Sequence, residues 1–198
     1  MDANNVKGHI EKIIEKTILL IKAAYTDDST KTRLCFPKYS STNKNRVSEQ
    51  EFRFAFVEAF NDYVKDKGLD WRYAVEVPTN DRYLFSTKDY LSEGRSAMFD
   101  MVIYSGNKRR ICLIEFKAGN PRQSCYNKDY CKLMNRNEGG EDVLRYFLQL
   151  LRNHDSGTGK SIKKKTIIAT NGTPISDIQV ISKAFSLNGS KITEISIE

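Results

Sequence analysis

The feature that most constrains this chain is a pair of apolar runs that each carry an acid. Ala97 to Tyr104 contains Phe99-Asp100-Met101-Val102-Ile103, and Arg109 to Lys117 contains Leu113-Ile114-Glu115-Phe116-Lys117. Gly106-Asn107 lies between them, a turn pair suited to a tight hairpin, so the runs read as two antiparallel strands. An acid inside an apolar strand is costly unless something pairs with it. Side chains alternate along a strand, so Glu115 and Lys117 share a face. With Gly106-Asn107 as the central turn residues, Ser105 pairs with Lys108 and Asp100 with Leu113; a four-residue loop from Ser105 to Lys108 gives the same register. That register sets Asp100 on the same face, diagonal to Glu115. A one-residue slip would move it to the other face. Two converging carboxylates form a hard-oxygen site suited to Mg²⁺ or Mn²⁺. A lysine beside them can hold a water or stabilise negative charge. Phosphodiester hydrolysis is the chemistry that uses such an arrangement.

The rest of the chain supplies elements to cover these strands. Val6, Ile10, Ile13, Ile14, Thr17, Ile18, Ile21 and Ala24 follow helical spacing, which predicts an amphipathic first helix packed on the domain or on a second copy. Residues 26–46 read as loop, basic and free of acids from Lys31 to Arg46. A second helix is predicted from Ser48, with Glu51 completing a capping box and Gly68 marking the end. Trp71 to Val77 reads as a strand stopped by Pro78, and a polar connection follows to Ser96. Glu141 to Asn153 repeats apolar residues at helical spacing and is read as a helix carrying Arg145 and Tyr146. Thr166 to Thr170 reads as a short strand, Ile175 to Phe185 is ambiguous, and Ile192 to Ile197 alternates like an edge strand. Gly157 to Ser161 imitates the end of a P-loop, but it follows a predicted helix instead of a strand and is read as a turn. His154 has no Ser or Cys partner for nucleophilic catalysis.

Composition narrows the class. Lys and Arg number 32 against 25 Asp and Glu, a net charge of +7, which suits a polyanionic partner. Lys108-Arg109-Arg110 and Lys160 with Lys163-Lys164-Lys165 are basic clusters of the kind that contact phosphates or simply face solvent. No apolar run approaches the ~20 residues of a membrane span. Lys7, His9, Glu11 and Lys12 interrupt any secretory leader. Cys35, Cys112, Cys125 and Cys131 form no CxxC pair, and free thiols fit a reducing, cytoplasmic setting. The 198 residues are read as one α/β domain, a central mixed β-sheet flanked by helices with an extra N-terminal helix. Residues 1–46 form the N-terminal helix and basic loop, 47–171 the core, and 172–198 a C-terminal extension.

Asp100 with Glu115-Phe116-Lys117, set on the second and third core strands, resembles the signature of the PD-(D/E)xK nuclease superfamily. The element order of that family, helix, three strands, helix, strand, resembles the order read over residues 47–171. Phe99 stands where the family name has Pro. The resemblance implies a restriction-endonuclease-like sandwich and a metal-dependent endonuclease. Asp100 and Glu115 would bind Mg²⁺ or Mn²⁺, and Lys117 would position the attacking water. The family often adds an acid from the helix before the first strand. Ser48-Glu49-Gln50-Glu51-Phe52 is similar to that helix start, which gives the role to Glu49 as a metal contact, with Glu51 as the alternative. The implied partner is nucleic acid, DNA favoured over RNA, with specificity from loops 26–46 and 79–96 or from a homodimer or larger complex built through the first helix. The competing expectation is the same fold kept as a non-catalytic nucleic-acid- or protein-binding module.

Overall fold

The structure, a computed structural model, describes residues 2–85, 94–152, 155–171, 178–188 and 191–197. The first helix, α1 (Ala3–Tyr25), starts at Asp2, whose carboxylate accepts the Asn4 and Asn5 amides at 2.6 and 3.1 Å. Its apolar stripe, Val6 through Ala24, is buried in this chain's own core, so the face that suggested a second copy is already covered. The second, α2 (Glu49–Lys67), ends where Gly68 turns left-handed at φ +61°, a conformation glycine adopts without steric cost. Ser48 is its N-cap residue, but the capping box does not form. The Ser48 hydroxyl bonds the Glu51 carboxylate instead of a helix amide.

Six strands make one mixed sheet in the order β1 to β6. They are β1 (Arg72–Tyr83), β2 (Arg95–Tyr104), β3 (Arg110–Ala118), β4 (Leu144–Leu151), β5 (Ile181–Asn188) and β6 (Lys191–Ile195). The β1/β2, β2/β3 and β5/β6 pairs are antiparallel, and β3/β4 and β4/β5 are parallel. Parallel neighbours need a crossover, supplied by α3 (Gln123–Leu133) and α4 (Ser156–Asn171). The helices α1 and α2 cover one face, with Phe52 and Phe56 packed edge-on against Phe116 at 5.2 and 5.5 Å. On the opposite face, Tyr126 and Tyr130 of α3 and Ala169 of α4 join Phe99, Leu113 and Phe147. Among the described residues no helix is long and apolar enough to cross a membrane. The four cysteines are free.

Several predicted elements change. Pro78 does not stop β1, which continues to Tyr83 with a register shift after the proline. The strand lies at the sheet edge, where a missing N–H costs little. The predicted helix Glu141 to Asn153 is the strand β4, and Arg145 and Tyr146 sit on it, both buried. Residues 145–151 are buried on both sides of the sheet, which erases the alternation that marks a half-exposed strand. The predicted strand Thr166 to Thr170 and the predicted turn Gly157 to Ser161 both fall within α4. The residues between Lys117 and Glu141, given no element in the sequence reading, hold α3, followed by a short 3-10 turn at Arg136–Glu138. Helix, three strands, helix, strand is therefore realised as α2-β1-β2-β3-α3-β4, with different segments in the last two places. Residues 86–93 of the polar connection, 172–177 of the C-terminal part, and His154 lie outside the described residues.

Candidate active site

The hairpin turn has neither of the two lengths predicted for it. The Ser105 amide bonds the Arg109 carbonyl at 2.9 Å, the Lys108 amide bonds the Ser105 carbonyl at 2.8 Å, and Lys108 is left-handed at φ +62°. This is a three-residue loop closed by a left-handed residue. A second shift, between the Ile103–Cys112 and Tyr104–Arg110 pairs, adds a bulge. Either slip alone would flip Asp100 to the other face. Together they cancel, and the register Met101–Ile114, continued by one step, sets Asp100 opposite Glu115 instead of Leu113.

At that point β2 and β3 part. Their ladder ends at Met101–Ile114, while β2 goes on pairing with β1 through Phe99–Val77 and β3 with β4 through Ala118–Leu150. Asp100 stands in the crotch of this fork, and its Oδ2 accepts the Phe116 amide at 2.8 Å in place of a strand carbonyl. The alternation of β2 resets here, since Phe99 and Val102 pack in one cluster while Met101 and Ile103 pack in the other. Opposite Asp100 on β1, Glu76 is left-handed at φ +50°, an unusual conformation for a residue with a side chain.

Helices from both faces close the fork. From α2, Arg53 reaches Asp100 Oδ1 at 3.2 Å and Glu76 Oε1 at 2.7 Å, and Glu49 lies 3.7 Å from Lys117 Nζ. From α3, Lys132 Nζ donates to Glu115 Oε1 at 2.5 Å and to the Met98 carbonyl at 2.7 Å. Asp129 bridges the two lysines, with Oδ1 3.3 Å from Lys132 and Oδ2 3.0 Å from Lys117. That second contact is a charge pair without hydrogen-bond alignment, and Asp129 Oδ2 has no hydrogen bond at all. Glu115, Asp129 and Lys132 are all buried.

The resulting field is rich in acid. Glu49, Asp100, Glu115 and Asp129 stand against Lys117, Lys132 and Arg53, so the acids outnumber the cations. Burial, reinforced by the Asp129 charge, pushes the Glu115 carboxyl well above the glutamate range despite Lys132. Burial also raises Glu49, Asp100 and Asp129 adding to it while Lys117 opposes. Burial pulls Lys117 and Lys132 downward, but the surrounding carboxylates outweigh it and hold both ammoniums above their ordinary value. Lys117 is therefore a charged donor.

The sequence-predicted residues Glu49, Asp100, Glu115 and Lys117 come together at the fork. Glu51 does not, because it turns to Ser48 and to Arg46 at 3.1 Å. The sequence reading missed Arg53, Asp129 and Lys132. The available signal for the last two was the spacing Tyr126, Tyr130, Leu133, which puts three buried side chains on one helical face. Arg145, expected first as a plain surface arginine on a helix, is buried on β4 and donates to the carbonyls of Val143 and Gly140. Arg109 and Arg110 are taken by Asp142 at 2.9 Å and Glu138 at 3.4 Å.

Among the described residues no three His, Cys, Asp or Glu side chains form a ligand cluster. The donors at the fork nonetheless fit Mg²⁺ or Mn²⁺. Asp100 and Glu115 are hard oxygen donors in register, the Asp100 charge adds to the cost of ionising Glu115, and Mg²⁺ commonly takes only one or two carboxylates, filling its other positions with water and substrate phosphate. Comparison with known proteins gives no matching family model and no significantly similar curated protein or solved structure.

Proposed function

We propose that the protein is a metal-dependent nuclease of the PD-(D/E)xK type, built on a restriction-endonuclease-like core and acting on nucleic acid, with DNA the favoured substrate. The observation that carries this reading is the fork, where Asp100 and Glu115 face each other as the ladder ends and Lys117 follows two residues on. The order α2-β1-β2-β3-α3-β4 agrees with it. Asp100 and Glu115 would hold the ion, and Glu49 borders the same site through Lys117. A divalent ion bound there supplies Lewis-acid chemistry toward a phosphodiester. Lys117, kept charged by Asp129 and Glu49, orients the attacking water and stabilises the negative charge that develops, a task for a donor and not a base. A cleft of about 770 Å³ lined by Lys38, Lys44 and Arg152 opens at the end of β4, the same end of the parallel β3/β4 pair at which Lys117 lies. Its charge suits a phosphate backbone.

The test is cleavage of single- and double-stranded DNA and RNA in Mg²⁺, Mn²⁺ or chelator by wild type and Lys117→Ala. Metal-dependent cutting that the variant lacks supports the reading and identifies the substrate. The second reading, a binding module without turnover, draws on one observation: Glu115, Asp100 and Asp129 are each already paired with a protein cation. A folded protein that binds nucleic acid, binds no metal and cuts nothing would favour it.

A further inference from the structure

Lys132 has no part in the chemistry just described, yet it is the most deeply placed cation at the fork. Its side chain is only 2% exposed. It comes from α3 and reaches both strands beside the point where their ladder stops, Met98 on β2 and Glu115 on β3. Its Nζ donates to Glu115 Oε1 and the Met98 carbonyl, sits 3.3 Å from Asp129 Oδ1, and lies over the Phe99 ring at 5.6 Å. A buried ammonium is tolerated only when its charge and protons are matched, and here Glu115 provides the closest match.

We propose that Lys132 is the resident counter-cation of this site, neutralising Glu115 in the free protein and yielding it when a divalent ion enters. The inference rests on the nuclease reading of the fork and adds a control on metal entry. The Lys132 side chain has partners on both sides of the exchange. Once Glu115 turns to the ion, the Met98 carbonyl and Asp129 still hold the ammonium, so displacement moves it a short way without stranding a buried charge. Metal binding is then a competition between two cations for one carboxylate. The free protein binds metal more weakly than its acids alone would dictate.

The experiment is direct Mn²⁺ binding, by calorimetry and by the paramagnetic signal of free Mn²⁺, to the full chain as wild type, Lys132→Gln and Glu115→Gln. Glutamine keeps a donor for the Met98 carbonyl while removing the charge. Lys132→Gln is expected to bind Mn²⁺ roughly tenfold more tightly than wild type, and Glu115→Gln to lose binding. Wild-type binding that Lys132→Gln leaves unchanged or weakens overturns the counter-cation role and leaves the nuclease reading intact. Absence of Mn²⁺ binding in wild type and in Lys132→Gln alike overturns the metal site itself. If Lys132→Gln folds only with Mn²⁺ present, the ion is replacing the missing ammonium, which supports the role. If it does not fold under either condition, Lys132→Arg decides, because a retained charge must keep Mn²⁺ affinity at or below the wild-type value. Tighter binding by the arginine variant overturns the proposal.

Discussion

Glu115 on β3 and Glu138 in the turn after α3 are equally sealed from solvent, yet their surroundings differ. Glu138 accepts the Asn80 and Asp81 amides at 2.8 and 3.0 Å and the Tyr83 hydroxyl at 2.7 Å, with Arg110 at 3.4 Å. Its donors are mostly neutral, and they come from the irregular part of β1, which the carboxylate clamps to the turn. Glu115 has a lysine for its main partner and two other acids, Asp129 and Asp100, around it. A buried acid ringed by backbone donors is a structural clamp. One placed among other acids and held chiefly by a lysine has its pKa pushed far from the ordinary range, and groups perturbed in that way concentrate at sites that do chemistry.

The largest expected effect separates chemistry from stability at the fork. Lys117→Ala should lower metal-dependent cleavage by about 100-fold or more per folded molecule, with a melt lowered only by the loss of the cation beside Asp129 and Glu49. An unaltered cleavage rate would place the nucleophile elsewhere. Next in size is the clamp. Glu138→Gln turns an acceptor into a donor facing backbone amides, and it should cost about 3 kcal/mol in urea unfolding without changing the rate of the folded fraction. Glu115→Gln should cost less than half of that, because the amide relieves repulsion with Asp129 and Asp100 while Lys132 keeps its two other partners. Equal losses for the two variants would erase the distinction between them.

The pH dependence sharpens the same contrast. A carboxyl whose folded pKa is raised binds more protons folded than unfolded, so its contribution to stability falls as pH rises through the window from the unfolded value near 4.5 to the raised folded one. Glu115 and Glu49 both act in that direction. The lysines act at the other end: Lys117 and Lys132 contribute fully below 10.5 and lose that contribution as pH climbs through their raised values. Thermal melts from pH 4 to 8 should therefore show a downward stability component in wild type that is smaller in Glu115→Gln. An identical slope in the two proteins would show that Glu115 does not carry it.

Much of the first half of the fold was legible, for two reasons. The hairpin strands are buried throughout Met101–Ile103 and Cys112–Phe116 and were read from their short apolar runs and the turn pair between them. The stripe of α1 has one buried and one exposed side, and hydrophobic periodicity reads such contrast directly. It fails where contrast is absent. Residues 145–151 are buried throughout and read equally well as helix. The helix α4 opens Ser-Gly-Thr-Gly-Lys, poor helix formers whose helical state comes from packing against α3 and the sheet. The hairpin acids were found even though the pairing was two residues off, since an even shift preserves the face. Asp129 and Lys132 were hidden for a different reason. Their significance depends on where α3 crosses the fork, and a crossover helix leaves no local mark of what lies beneath it.

The smallest effect divides neighbours on one helix turn. Glu49 was the preferred candidate and Glu51 the alternative, and the structure sends them to different places. Glu49 approaches Lys117 at 3.7 Å, whereas Glu51 ties Arg46 and Ser48 to the start of α2. Glu49→Ala should reduce cleavage by about tenfold, the scale expected for a group that orients a neighbour at a metal site, with little change in stability. Glu51→Ala should leave cleavage unchanged and cost at most about 1 kcal/mol, since its partners include a half-exposed arginine. Measured as a pair by rate and melt, the two variants must exchange effects cleanly. If Glu51→Ala instead depresses the rate and Glu49→Ala does not, the helix contributes its acid to the fork from the other position, and the contact between Glu49 and Lys117 is a surface ion pair.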